Sequence, residues 1–173
     1  MNSFTENSGQ NCCQHEAIMA QLRAVPHFSE IPLDIIKVLA LLCSPMNYQP
    51  GTVLFHQDDG DDKAYLIMSG KAELTRNLEG QTTKIGSLGP GAFVGALALM
   101  ADVKRLFTLT ASETTVCLTI RRKQFLQALE KHPSAHVFFT KVLTRSIVDW
   151  EEALLRAGTC PANSLGSTGV SLL

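Results

Sequence analysis

The segment Leu88–Thr110, LGPGAFVGALALMADVKRLFTLT, decides how the rest of the chain is read. A Gly89-Pro90-Gly91 turn leads into Phe93-Val94-Gly95, then a run of small and apolar residues, then Lys104-Arg105 and the alternating, strand-like LFTLTA. Glycine at 95 lets the backbone approach a ligand closely. Ala96, Leu97 and Ala98 suit the start of a short helix whose free N–H groups attract anions. Arg105 follows, with a planar fork that matches two oxygens of a phosphate or carboxylate. Together these residues describe a small anion cradle. The alternative for the same residues is a glycine turn, one helical turn of core and an arginine in solvent.

Bulk composition narrows the setting. A chain of 173 residues suits one domain, and 45% hydrophobic content is enough for a core without disulfide or metal staples. A net charge of −1 and a pI near 6.5 give no basic field for a nucleic-acid backbone, so direct DNA binding is not expected. Cys12, Cys13, Cys43, Cys117 and Cys160 are odd in number and lack CxxC spacing; Cys43 and Cys117 lie in apolar stretches that suit reduced core thiols. Cys12-Cys13 with His15 nearby makes a poor chelator, because adjacent cysteines cannot both reach one ion easily; no metal is expected. The N-terminus, MNSFTENSGQN, has neither the positive region nor the apolar run of a signal peptide, and no apolar stretch approaches the ~18 residues of a membrane span. The expected location is the cytoplasm, with no membrane partner.

Working outward in both directions, the period of the apolar residues changes twice. Residues 1–15 read as a disordered polar tail, a short helix is expected over Glu16–Leu22, and a second begins at Ser29 or Pro32 and runs through LDIIKVLALLC. Pro45 and Pro50-Gly51 end the helical spacing. Strands are then expected at Thr52–Gln57, Ala64–Met68, Lys71–Arg76 and Thr82–Leu88, and after the Gly95 segment at Leu106–Ala111 and Thr115–Arg121. Short strands between turns predict an antiparallel barrel or jelly roll. The acidic turn Asp58, Asp59, Asp61, Asp62 lacks the twelfth-position glutamate of a calcium loop and is expected to be a solvated hairpin tip. Helical spacing returns at Arg122, stops near His132-Pro133, and resumes from Ser134, where Phe139, Leu143, Ile147, Trp150 and Leu154 share one face. Residues 158–173 read as a second disordered tail.

This order of elements resembles the cyclic nucleotide-binding domain of catabolite activator-type regulators, kinase regulatory subunits and ion channels. Three motifs carry the resemblance, which covers residues 16–157: Pro50-Gly51-Thr-Val-Leu-Phe with Gln57-Asp-Asp-Gly60; Ala64-Tyr-Leu-Ile-Met-Ser-Gly70; and Leu88-Gly-Pro-Gly91-Ala-Phe-Val-Gly95 through Arg105. It implies an α+β fold, an antiparallel β jelly roll (double-stranded β-helix) flanked by N-terminal helices and a long C-terminal helix over 134–157. It also implies that Gly95, Ala98, Leu99 and Arg105 stand at matching places of a phosphate-binding cassette, with Ala96 and Leu97 beside them. Ala96 stands where the family has a glutamate that accepts a hydrogen bond from the ribose 2′-hydroxyl. Loss of that charged acceptor costs about 1.5–3 kcal/mol, or roughly ten- to a hundredfold in affinity. After Arg105 the family has a small or hydroxyl residue; this chain has Leu106 and Phe107, one of which is expected to face the pocket, while Thr108 and Thr110 share the face of Leu106.

The resemblance further implies a stand-alone, non-enzymatic sensor. Its ligand would be a cyclic nucleotide (cAMP or cGMP) or another small anion, with Arg145 and Ser146 as further ligand contacts and no other cofactor. A homodimer is expected through Phe139, Leu143, Ile147, Trp150 and Leu154; the stripe packing back on the chain's own barrel is the alternative. The chain ends fifteen residues after Gly158 with no helix-turn-helix, so the expected effector is a separate protein. Two other functions stay open. One is a degenerate domain kept for protein–protein interaction. The other is a cupin-like metalloenzyme, disfavoured because His27, His56, His132 and His136 are scattered and only His56 falls on an expected strand.

Overall fold

The computed structural model describes residues 6–25, 28–29 and 31–157. Thirteen elements follow in the order α1 (Glu6–Ala24), α2 (Leu33–Leu42), β1 (Ser44–Tyr48), β2 (Val53–Phe55), β3 (Lys63–Ser69), β4 (Ala72–Leu78), β5 (Gln81–Leu88), β6 (Phe93–Val94), α3 (Ala96–Met100), β7 (Thr108–Ala111), β8 (Thr115–Arg121), α4 (Arg122–Lys131) and α5 (Pro133–Ala157). The eight described strands form two four-stranded antiparallel sheets, ordered β1-β8-β3-β6 and β2-β7-β4-β5.

Two apolar clusters fix how the layers stack. The first lies between the sheets and draws Phe55, Tyr65, Ile67, Leu74, Val94, Leu109 and Cys117 from strands of both, with Phe107 from just before β7. The second lies on the other face of the β1-β8-β3-β6 sheet, where Ala64, Leu66, Leu118 and Ile120 meet Leu22, Ile36, Leu39, Phe125 and Phe139 from four helices. With both faces of this sheet covered, β3 and β8 show continuous buried runs, Ala64–Ile67 and 117–120. The β2-β7-β4-β5 sheet has one open face, and β4 there alternates over its first four residues.

Local differences from the sequence expectations have local causes. α1 begins at Glu6, so residues 6–15 are helical where a polar tail was expected; the helix extends a segment anchored by the buried Ile18 and Leu22. Residues 1–5 and 158–173, the rest of the two expected tails, lie outside the described residues. β1 was not foreseen because Pro45 argues against a strand. It runs along the sheet edge, paired only with β8 (Ser44 opposite Thr119), where a missing N–H donor is tolerated. α5 starts at Pro133, one residue before the expected Ser134 cap, since a first-turn proline gives up an N–H that has no intrahelical partner.

Candidate ligand-binding site

The Gly89–Gly91 turn is pinned to β3 by two main-chain bonds, Gly91 N–H to the Ile67 oxygen (2.8 Å) and Ile67 N–H to the Ala92 oxygen (2.9 Å). This delivers Phe93 and Val94 to opposite faces of the sheet: Phe93 packs edge-on against Phe28 at 4.9 Å, and Val94 enters the inter-sheet cluster. Gly95 then caps α3 with φ of 89°, a left-handed conformation that L side chains rarely adopt. A Cβ there would lie 2.5 Å from Nη1 of Arg105 and 2.7 Å from the Lys63 oxygen. Glycine at 95 is therefore required twice, by its dihedral and by the guanidinium laid against it.

Arg105 is only 6% exposed, which excludes the solvent arginine of the alternative. Its Nη2 donates to Asp61 Oδ2 at 2.8 Å and to the Lys63 oxygen. Its Cζ sits 4.2 Å from the centroid of the Phe55 ring and 5.8 Å from that of Tyr65, within range of cation–π attraction. Its Nε is buried without a hydrogen-bond partner. The main chain of the same residue is also held: Asp58 N–H donates to the Arg105 oxygen (2.8 Å), and Arg105 N–H donates to the Asp59 oxygen (3.0 Å). The turn between β2 and β3 thus grips Arg105 at both backbone and side chain, with Asp58 in a left-handed conformation (φ 66°) to make the bend.

Asp61 corrects one expectation. The acidic turn is not wholly a solvated tip: Asp58 and Asp59 are exposed, but the Asp61 side chain is 11% exposed and its Oδ2 also accepts from the Tyr65 hydroxyl at 2.8 Å. Burial, reinforced by the neighbouring Asp61 carboxylate, pushes the Tyr65 phenol far above its ordinary value, so it stays a donor. The only sequence sign of this role was an acid three residues before the aromatic-aliphatic strand Ala64–Met68, a pattern shared with many turns.

The residues after Arg105 divide cleanly. Phe107 is buried and packs at a tilt against Phe55 (centroids 5.5 Å apart), whereas Leu106 is 42% exposed. Thr108 lies on the Leu106 side of the alternation, and its hydroxyl accepts from Gln57 N–H at 2.9 Å, so it faces away from the inter-sheet interior. Within α3, Ala98 and Leu99 are buried and Ala96 and Leu97 are half-buried. Ala96, the first helical residue, brings a methyl group.

The remaining candidates lie on α5. Phe139 is spent inside the chain: it is 5% exposed and meets Phe125 edge-on at 4.5 Å and Phe28 at 6.2 Å, because the inward face of α5 is set by Ala135, Phe138, Phe139 and Val142. Leu143 is half-buried and Arg145 is exposed. The side chains of Ser146, Ile147, Trp150 and Leu154 lie outside the described residues. Away from the site, burial raises the thiols of Cys43 to about 12 and Cys117 to about 11, so both are protonated and unreactive at neutral pH. Among the described residues no helix is long and apolar enough to cross a membrane.

A regulatory subunit of cAMP-dependent protein kinase from Dictyostelium discoideum is 31% identical over 91 residues, 50% of this chain and 28% of that protein. The lysophospholipase nte1 of Aspergillus oryzae is 29% identical over 103 residues, 59% of this chain and 7% of the enzyme. The chain therefore spans a minor part of the length of these relatives. A solved cyclic nucleotide-binding-like protein from Brucella abortus superposes with a TM-score of 0.59 at 28% identity, covering 66% of this chain and 98% of that one. The family model for the cyclic nucleotide-binding domain matches residues 45–132, just over half of the chain, from β1 to the end of α4. The chain belongs to the cyclic nucleotide-binding domain family.

Proposed function

We propose that this domain is a non-catalytic regulatory sensor whose Arg105 receives the phosphate of a cyclic nucleotide, or another small anion, beside Gly95 and the first turn of α3. One observation carries the proposal: a guanidinium buried against a glycine that tolerates no side chain, with its Nε still lacking a partner. The Dictyostelium relative is named as a cAMP-dependent regulatory subunit, which supports a cyclic nucleotide as the first ligand to try. Ala96 provides no acceptor for a ribose hydroxyl, so binding is weaker than a glutamate would give by roughly ten- to a hundredfold. Readout passes to a separate effector protein in the cytoplasm, and α5, through Leu143, Ile147, Trp150 and Leu154, pairs two copies of the chain.

Isothermal titration with cAMP and cGMP tests the site. Wild type is expected to bind at least one of them, and Arg105→Ala to lower that affinity by at least a hundredfold. Equal heats from the two proteins would remove the anion role.

A second function is favoured by a specific observation. Arg105 already holds an internal carboxylate, Asp61, and Phe107 with Phe55 fills the space between the sheets beside it. A domain kept for protein–protein contact would look the same, and it would show no thermal stabilisation by any nucleotide.

A further inference from the structure

The β4–β5 hairpin outruns the strand beside it. β4 pairs with β7 from Ala72 opposite Ala111 to Thr75 opposite Thr108, and Thr108 is where β7 begins. β4 itself continues to Leu78, with β5 as its strand neighbour over Arg76, Asn77 and Leu78. On the side that β7 has left, the place of a strand is taken by a side chain. Oε1 of Gln57 accepts from Asn77 N–H at 2.8 Å, and Nε2 of Gln57 donates to the Asn77 oxygen at 3.2 Å. In an antiparallel pair one residue exchanges both its N–H and its C=O with the residue opposite. A carboxamide has an acceptor and a donor in one plane, so it copies those two bonds and adds a rung to the ladder. Nε2 also lies 3.4 Å from Oδ2 of Asp58. With two oxygens on one side and an N–H on the other, the network fixes which way the amide points.

Gln57 stands at the entry to the turn that grips Arg105. Its own N–H donates to the Thr108 hydroxyl at 2.9 Å. The amide of the next residue, Asp58, donates to the Arg105 oxygen, and Asp59 accepts from Arg105 N–H. Asp61, further along the same turn, holds the guanidinium. Gln57 thus meets the hairpin through its side chain, the start of β7 through its N–H, and Arg105 through the residue that follows. Gln57 is half-buried and Asn77 is exposed. Hydrogen bonds in such a place are exchanged for bonds to water at little net gain, so the fold does not depend on them. What the rung supplies is direction.

We propose that Gln57 is a positioning residue for the Arg105 site: its carboxamide clamps the β4–β5 hairpin to the turn between β2 and β3, and so sets where that turn places Arg105. The proposal rests on Arg105 as the anion site, but half of its test does not.

That half is amide hydrogen exchange on the ligand-free full chain, comparing wild type with Gln57→Leu and Asn77→Ala. Leucine keeps the bulk of the side chain and loses the amide. Asn77→Ala leaves the main-chain rung and removes the carboxamide that accepts from Gly80 N–H and donates to Thr82. Gln57→Leu is expected to speed exchange at least tenfold at Asn77, Asp58 and Arg105, with the β1–β8 amides unchanged. Asn77→Ala is expected to leave Asp58 and Arg105 within twofold of wild type. If Gln57→Leu does not fold, Gln57→Asn, one methylene short of the rung, is measured in its place. Equal acceleration in β1–β8 would mean a general loss of stability. An unchanged Arg105 amide, or the same acceleration from Asn77→Ala, would place the support of the turn elsewhere. Any of these results overturns the proposal.

The other half is calorimetric titration with cAMP. Gln57→Leu is expected to weaken binding at least fivefold and Asn77→Ala by no more than twofold, a split that loss of general stability would not give. Affinity within twofold of wild type in Gln57→Leu overturns the positioning role. If wild type binds no cAMP, Arg105 fails as a cyclic-nucleotide site, and the exchange result alone decides whether Gln57 places it.

Discussion

At the Arg105 end of the cassette a guanidinium, a carboxylate, a phenol and a main-chain carbonyl meet within hydrogen-bonding distance, whereas the Ala96 end brings only a methyl group and amides to the site. The first end is held by the turn between β2 and β3, by Gly95 and by the aromatic rings of Phe55 and Tyr65. The second is a helix start with no side-chain cap. The contrast separates two requirements that a nucleotide site ordinarily meets together. The contacts of Arg105 are built into the framework of the roll, so they cannot be lost without disturbing the fold. The side chain at the helix start makes no cap, so it can change at little structural cost.

If that division is correct, the largest effects come from removing what supports Arg105. Asp61→Ala leaves a buried guanidinium without its carboxylate and is expected to lower stability by about 3–5 kcal/mol. Phe107→Ala opens a cavity beside Phe55 and is expected to cost a similar amount, about 3–5 kcal/mol. Urea unfolding measures both. A loss under about 1 kcal/mol for Asp61→Ala would mean that the pair is solvated and that the charged end is no more built in than the other.

The intermediate effect tests the Ala96 end. Ala96→Glu restores an acceptor at the first helical residue, where a carboxylate also suits the positive end of α3. Cyclic AMP affinity is expected to rise ten- to a hundredfold, about 1.5–3 kcal/mol, with no gain for the 2′-deoxy analogue. Equal gains for both nucleotides would show a general charge effect and would place the missing determinant elsewhere.

The two ends were not equally legible in the sequence. The strands on either side of the site showed as alternation and turn residues, and Gly95 with Arg105 stood out because a glycine, a short apolar helix and a fork-shaped cation point to one chemistry. Asp61 did not stand out. Its role comes from the antiparallel pairing that brings the end of β2, the start of β3 and the approach to β7 together, and four aspartates in a turn give no sign of which one faces inward. Phe139 misled for a related reason. A stripe at helical spacing shows that a face is apolar, but not whether its partner is the chain itself, and here the first turns of α5 are drawn onto Phe28 and Phe125. Arg122, whose Nε donates to the Ala98 oxygen at the end of α3, had no sequence signal, because its partner is a main-chain oxygen that any residue at 98 would supply.

The smallest expected effect decides how Leu106 and Phe107 share the position after Arg105. Alternation alone allowed either to face the interior, and the structure turns Phe107 inward and leaves Leu106 42% exposed. An exposed leucine beside a site has two consequences that differ in kind. Its removal takes little apolar area from contact with the protein, so Leu106→Ser is expected to change stability by no more than about 0.5 kcal/mol. Yet it follows Arg105 directly, at the rim of the cassette, where it can cover or restrict a bound ligand. If Leu106 limits access, the serine variant binds cAMP several-fold more tightly at unchanged stability. If the restriction comes from Phe107 and Phe55 inside the roll, affinity stays within twofold of wild type. Parallel denaturation and titration of this one variant therefore distinguish a rim effect from an interior one, and a large loss of stability in Leu106→Ser would mean that the outer face of this stretch is packed after all.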